Sequence, residues 1–290
     1  MITNNRPVYS FHARGFKLEL GHRTRLMGIL NITPDSFSGD GLLSCDAVST
    51  ETSLRKARQW IKAGVDIIDV GGESTRPGAS RVSVKEEVAR ICPVICAISR
   101  IPGACISVDT YKPEVAREAF EAGASIVNVV QGTPISSKML DVVRKYDAGL
   151  VLMHMRGTPR TMQQQTNYSQ LVQDIISALK NSVEKCLLSG INKQSIIVDP
   201  GIGFAKTPAQ NLSLLRSLDA FHVLQQPLLV GTSRKSFIGQ IINASPEKRL
   251  MGTAATVVCA ITQGVHIVRV HDLPAIRQLT LMTDAIVNAL

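Results

Sequence analysis

The sequence predicts a single (β/α)8 barrel over residues 1–290, with a short β-hairpin at its N-terminal end. Three observations predict it. Eight short apolar runs recur, near residues 26–31, 66–70, 105–109, 125–130, 149–154, 196–199, 228–231 and 266–270, each giving way to polar residues. Segments with helical periodicity separate them, which is the strand–helix alternation of a parallel sheet. The apolar residues are mostly Ala, Val, Ile and Leu, only 4% of the chain is aromatic, and no linker or composition break divides the 290 residues. The rival architecture, a doubly wound open sheet, lacks a G-x-G-x-x-G after an early strand.

Each element follows in order. Residues 6–21 read as an antiparallel hairpin suited to plugging one end of the barrel. The first run, Leu26 to Leu30, ends at Asn31 and spills into a hydroxyl-rich loop with Asp35, Asp40, Gly39 and Gly41. The second ends in Asp69 and continues as Gly71-Gly-Glu-Ser-Thr-Arg-Pro-Gly78. A helical face of Val84, Val88, Ile91, Ile95 and Ile98 follows, and Pro93 inside it is expected to kink the helix or end it early. The third run ends in Ser107-Val-Asp-Thr110, with Pro113 at a helix start. The fourth carries Asn128 and the fifth ends in Met153-His154. A stripe of Val172, Ile175, Ile176, Leu179, Val183 and Leu187 then runs to a stop at Gly190. The sixth run ends in Asp199-Pro-Gly-Ile-Gly-Phe204, the seventh gives Gly231-Thr-Ser-Arg-Lys-Ser236, and the eighth gives Arg269-Val-His-Asp272. Pro208 and Pro274 introduce the helical stretches after the sixth and eighth.

Polar residues thus gather at the same end of all eight strands, the end at which barrels carry their chemistry. Asp109 and Asp199, facing one mouth with Asn128, suit a ligand rich in N–H donors, such as an amino-substituted nitrogen heterocycle. Lys235 and Arg269, with His271 and the start of the last helix, suit an anion. The net charge of +9 comes from scattered residues with few aromatics among them, which favours a small anionic substrate over nucleic acid. No apolar run approaches the roughly 18 residues that span a bilayer, and residues 1–17 lack an apolar signal core, so a cytoplasmic protein is expected. The six cysteines form no C-x-x-C pair and read as reduced thiols. Walker, zinc-ligand and G-x-S-x-G patterns are all missing.

Six motifs in order carry a resemblance that covers nearly the whole chain. They are Leu30-Asn-Ile-Thr-Pro-Asp-Ser-Phe-Ser38, Asp69-Val-Gly-Gly-Glu-Ser-Thr-Arg-Pro-Gly78, Ser107-Val-Asp-Thr110, Asp199-Pro-Gly-Ile-Gly-Phe204, Ser233-Arg-Lys-Ser236 and Arg269-Val-His271. The sequence resembles the dihydropteroate synthase family of pterin-binding barrels. The resemblance implies a folate-pathway transferase that joins 6-hydroxymethyl-7,8-dihydropterin diphosphate to 4-aminobenzoate, releasing 7,8-dihydropteroate and diphosphate. It implies that Asp109, Asn128, Asp199 and Lys235 hold the pterin, with Met153, Phe204 and Gly231 lining its pocket. It assigns the diphosphate to Asn31, Arg269 and His271, with Asn31 also facing a Mg2+ ion. It assigns 4-aminobenzoate to Phe37, Thr75, Arg76, Pro77, Phe204, Lys235 and Ser236. Asp109, Lys235, Arg269 and His271 are the expected catalytic group. A homodimer and sensitivity to sulfonamides, as 4-aminobenzoate mimics, come with the family.

Three departures from the family pattern stand out. Asn128-Val129 replaces Asn-Asp after the fourth strand, which removes a carboxylate from that loop. Ser38-Gly-Asp-Gly41 shifts an acid by one position and makes Asp40 a candidate at the diphosphate–metal end. Gly203-Phe-Ala-Lys206 replaces Gly-Phe-Gly-Lys, read as a tolerated change. A methyltetrahydrofolate–corrinoid methyltransferase would share the pterin-holding residues but would not need Ser233-Arg-Lys-Ser236 or Arg269-Val-His271. A non-catalytic pterin-binding homologue finds support only in Val129.

Overall fold

The computed structural model describes residues 6–32, 46–74, 81–130 and 134–289. Eight parallel strands form the barrel: β3 (Arg25–Asn31), β4 (Ile67–Gly71), β5 (Ile106–Asp109), β6 (Ile126–Val129), β7 (Gly149–Met153), β8 (Ile196–Asp199), β9 (Leu229–Val230) and β10 (Ile267–Val270). Hydrogen bonding runs in the order β8-β7-β6-β5-β4-β3-β10-β9. A parallel bridge between Val198 and Leu228, with Val198 N–H donating to Pro227 O at 2.9 Å, brings β8 back to β9 and closes the ring. The eight runs read from the sequence coincide with these strands to within about two residues, the usual uncertainty of an element's end.

Between strands lie α1 (Asp46–Lys62), α2 (Val84–Ser99), α3 (Pro113–Glu121), α4 (Ser137–Lys145), α5 (Leu171–Leu188) and α6 (Pro208–Leu215). β9 is followed by α7 (Ser236–Ile242) and α8 (Leu250–Thr262), and β10 by α9 (Leu273–Val287). Outward-facing strand residues such as Leu30, Val70, Val108, Val127, Leu152 and Val198 pack against these helices in one apolar layer. Among the described residues no helix is long and apolar enough to cross a membrane.

α2 runs through Pro93 to Ser99, so of the two outcomes expected of that proline the early end does not occur. Pro93 is exposed, so water can serve the carbonyl it leaves unpaired, while Ile91, Val94, Ile95 and Ile98 on the far side anchor the helix. The buried stripe begins not at Val84, which is 38% exposed, but at Glu87, which is 1% exposed. In α5 the last buried position is Cys186 rather than Leu187, which is exposed. Gly190, with φ +82°, takes the left-handed turn that ends this helical segment. Pro113, Pro208 and Pro274 all sit in the first helical turn, where the missing N–H costs nothing.

The N-terminal hairpin, β1 (Tyr9–Ala13) with β2 (Phe16–Leu20), pairs antiparallel as expected. It closes the N-terminal end of the barrel: Phe11, Ala13 and Leu20 pack on inward residues Met27, Ile67, Cys105, Ile126, Val151 and Ile197. Gly149 makes room for it, since a Cβ there would lie 2.6 Å from the Phe11 ring. The period of two along each strand then dictates the opposite end. Stepping up from Met27, Ile67, Cys105 and Ile267, the inward positions become Asn31, Asp69, Asp109 and Arg269. One end of the barrel is filled with hydrocarbon and the other with charge.

Candidate active site

The charged end is built on strand register. Asn31, Gly71, Asp109 and Asn128 stand side by side on four adjacent strands. Gly71 leaves a gap in that row: a Cβ there would sit 3.5 Å from both Asn31 Oδ1 and Asp109 Cβ. Asn31 and Asp109 therefore face each other across bare backbone.

Arg269 is the hub. From β10 its Nε donates to Asp69 Oδ2 at 2.6 Å and its Nη2 donates to Asp109 Oδ2 at 2.6 Å. Asn128 Nδ2 donates to the same Asp69 oxygen at 3.1 Å. Asp69 is fully buried, and Arg269 retains 18% exposure at the mouth. Burial pushes the Asp109 carboxyl up to about 7, with Asp69 adding to the rise and Arg269 opposing it.

Asp199 ends β8 and accepts a hydrogen bond from Gly201 N–H at 2.7 Å through Oδ1. Its pKa is raised to about 6, chiefly by burial, against the pull of Gly201 N–H, Lys235 and Lys206. Lys235, the residue that opens α7, lays its ammonium over the Phe204 ring, 3.6 Å from the centroid. Burial and the nearby Arg269 lower its pKa to about 7, while Asp199 and Asp109 act to raise it. Gly203, with φ +84°, passes under the Lys235 stem, where a Cβ would come within 2.8 Å. Met153, Phe204, Val130, Met155, Met162 and Ala205 form the apolar wall beside these groups. Gly231 lies against the Arg269 stem, its would-be Cβ 3.7 Å from Arg269 Cβ.

His271 follows β10. Its backbone N–H donates to Ser233 Oγ at 3.2 Å, and its Nδ1 lies 3.0 Å from the same oxygen. Burial, then Arg269 and Arg234, lower its pKa to about 3, so the imidazole is neutral. The Ser233 hydroxyl accepts from the backbone and can give its hydrogen to Nδ1, the arrangement in which the ring proton sits on Nε2. Arg234 ties this corner together. It occupies a left-handed conformation at φ +59°, pairs with Asp272 through Nε at 3.0 Å, and so staples the loop after β9 to the loop after β10.

The described residues thus bring Asn31, Asp109, Asn128, Met153, Asp199, Phe204, Gly231, Lys235, Arg269 and His271 to one end of the barrel. Ser236 is exposed in the first turn of α7 beside them. Phe37, Asp40, Thr75, Arg76 and Pro77 lie outside the described residues. The stems flanking residues 75–80 are pinned by Lys112, whose Nζ bonds Glu73, Glu87 (2.5 Å) and Val82 O (2.6 Å). Val129 is 6% exposed and packs in the apolar layer outside the barrel, so the departure there fills core rather than pocket.

Sequence reasoning passed over three residues that the structure ties to this site. Asp69 is read only as a strand end, although its inward parity with Arg269 was available. Ser233 is hidden inside its motif. Lys206 is 2% exposed and binds Gly201 O and Phe204 O, both at 2.9 Å, and so shapes the loop that carries Asp199 and Phe204. Ala205 sits at φ +51°, a conformation that glycine adopts freely and alanine only at some strain.

A family model described as pterin binding enzyme matches residues 27–271. A dihydropteroate synthase from Synechocystis sp. is 45% identical over 267 residues, covering 92% of this chain and 91% of that protein. The chain belongs to the dihydropteroate synthase family. Solved structures from the family agree in fold. That of a Clostridium difficile dihydropteroate synthase in the presence of pteroic acid is 42% identical, with a TM-score of 0.84 over 93% of this chain and 99% of that one. A Yersinia pestis dihydropteroate synthase in a sulfonamide drug complex is 39% identical, with a TM-score of 0.88 over 97% and 100%. A Xanthomonas albilineans dihydropteroate synthase with 4-aminobenzoic acid is 35% identical, with a TM-score of 0.88 over 98% and 100%.

Proposed function

We propose that this chain condenses 6-hydroxymethyl-7,8-dihydropterin diphosphate with 4-aminobenzoate, giving 7,8-dihydropteroate and diphosphate. The observation that carries this reading is a row of spare acceptors beside a spare guanidinium edge. Asp109 Oδ1, Asn128 Oδ1 and Asp199 Oδ2 accept nothing from the described residues, while their partner atoms are engaged. Such acceptors match the amino and ring N–H groups of a pterin. Lys235, held over Phe204, sits between these carboxylates and Arg269 and can bond the pterin's polar atoms; Met153 and Phe204 supply the apolar wall.

Arg269 spends Nε and Nη2 on the carboxylates and keeps Nη1 for an anionic oxygen. His271 offers Nε2–H as a neutral donor to the same diphosphate, and Asn31 lies within the same row. Asn31 Oδ1 is a hard oxygen donor facing Asp109, which fits a Mg2+ ion that draws its remaining ligands from diphosphate and water. When bound, the ion would neutralise charge on the departing diphosphate. Among the described residues no group of three or more His, Cys, Asp or Glu forms a metal cage. Ser236 and the loop residues Phe37, Thr75, Arg76 and Pro77 are the proposed contacts of 4-aminobenzoate.

The chemistry is a displacement at the pterin's exocyclic methylene. An electron-rich dihydropterin can carry positive charge there, so the bond to diphosphate breaks before the amine attacks, diphosphate stays bound until the amine traps the cation, and Asp109 balances the cationic ring. A weakly basic arylamine needs no dedicated base, since the proton it sheds on bond formation passes to diphosphate or to water. Heavy-atom and hydrogen isotope effects at the methylene test this order, and values typical of a tight associative transition state would sink it.

The test of the reading is product formation. Purified protein with Mg2+ and both substrates should yield 7,8-dihydropteroate by mass spectrometry. With methyltetrahydrofolate and a reduced corrinoid it should yield no methylcorrinoid. The reverse pattern would favour the methyltransferase reading. Pterin binding without either product would favour a binding homologue. We further propose that the protein works in the cytoplasm as a homodimer and that sulfonamides compete with 4-aminobenzoate.

A further inference from the structure

Asp69 is the most deeply buried carboxylate of the site, and its hydrogen bonding is one-sided. Oδ2 accepts from Arg269 Nε at 2.6 Å and from Asn128 Nδ2 at 3.1 Å. Oδ1 is buried and has no partner, and neither has the neighbouring Ser107 hydroxyl in register beside it. Burying a carboxylate in a barrel interior is costly, and a carboxylate kept for the scaffold would be bonded through both oxygens. The side-chain bonds of this one all run to two pocket residues. An amide facing a carboxylate must present its NH2, because two acceptors repel; the orientation of Asn128 therefore follows from Asp69.

We propose that Asp69 is a positioning residue that sets the specificity of the site: it draws the Asn128 NH2 to itself so that the amide oxygen is the end turned to ligand, and it holds Arg269 by Nε so that Nη1 stays free for an anion. The acceptor row of Asp109, Asn128 and Asp199 is then a consequence of a fourth residue that touches no ligand. Without Asp69 the Asn128 amide can turn over and offer a donor where the ligand brings one. This inference rests on the pterin reading and names what makes the pocket selective for N–H-rich heterocycles.

The experiment separates acceptor from charge at Asp69 and uses pteroic acid as the probe. Asn128→Asp keeps an acceptor toward the ligand but sets two carboxylates face to face. Its affinity for pteroic acid, by titration calorimetry at pH 7.5, should fall at least about tenfold, the scale of one broken buried hydrogen bond. In Asp69→Asn the amide oxygen can take the place of Oδ2 and accept from both Asn128 Nδ2 and Arg269 Nε. Binding should stay within about threefold of the parent. Turnover should fall at least about tenfold, because Arg269 Nε has lost its charged acceptor. A merely structural role would not keep binding while losing turnover. Parental affinity in Asn128→Asp, or Asp69→Asn binding as weakly as Asn128→Asp, would overturn the proposal. If Asn128→Asp does not fold, Asp69→Ala takes its place with the same expected loss, and parental binding by Asp69→Ala would likewise overturn it. Failure of the parent protein itself to bind pteroic acid would instead strike at the pterin reading.

Discussion

Replacing Arg269 with methionine keeps the bulk of the side chain and removes the charge between Asp69 and Asp109. Both contacts are 2.6 Å long, to carboxylates that are 0% and 7% exposed. Removing one partner of a buried pair and stranding the other costs about 3–5 kcal/mol. An unfolding entropy of about 2.1 cal/mol/K per residue across 290 residues gives roughly 0.6 kcal/mol/K. The expected loss in Tm is therefore about 5–8 °C. Its pH dependence has a definite sign. Asp109 sits at about 7 with Arg269 opposing the rise, and loses that opposition in the variant. A carboxyl whose folded pKa lies above its unfolded value of about 3.9 binds extra protons in the folded state, so stability is lost as pH rises through the folded value. The gap between Arg269→Met and parent should be smallest near pH 5 and widest near pH 8. Thermal melts followed by circular dichroism across that range read it directly. A gap under about 1 °C at pH 8, or one that is larger at pH 5, would refute the reasoning that Arg269 is the charge partner of both carboxylates.

Further outcomes follow from the same geometry. Lys235→Ala removes a charged contact worth about 1.5–3 kcal/mol to a bound ligand, and kcat/KM for the pterin diphosphate should drop about 10- to 150-fold while the melting profile changes little. The carboxylates Asp199 and Asp109, at about 6 and 7, act ionised, and Lys235, at about 7, acts protonated. The pH profile of kcat/KM should therefore be bell-shaped with its top near neutrality; a profile flat from pH 5 to 9 would contradict that. Gly149→Ala drives a methyl into Phe11 and should cost about 1–3 kcal/mol of stability with activity retained at low temperature, which denaturant melts beside an activity assay can check.

The fold was legible because both of its periods were. Inward strand residues alternate, and all eight runs stop at polar residues, so the barrel and its active end could be read together. What was hidden depends on distant partners. Asp69 and Arg269 are 200 residues apart in sequence, and nothing local in Asp69-Val-Gly-Gly says that its carboxylate meets a guanidinium. β9 has only two residues, so closure rests on a bridge that no propensity announces. Val84 misled for a simpler reason: a helix held by one buried face tolerates an exposed valine in its first turn, as it tolerates the exposed Pro93 without ending there.

The central claim is that this barrel end releases diphosphate from a pterin ester only when an arylamine takes its place. The most direct measurement is diphosphate release with Mg2+ and the pterin diphosphate, with and without 4-aminobenzoate, in the parent and in Lys235→Ala. Release should depend on 4-aminobenzoate, match dihydropteroate formed one for one, and collapse in the variant. Measurable pterin binding with no release, or release indifferent to Lys235, would contradict it.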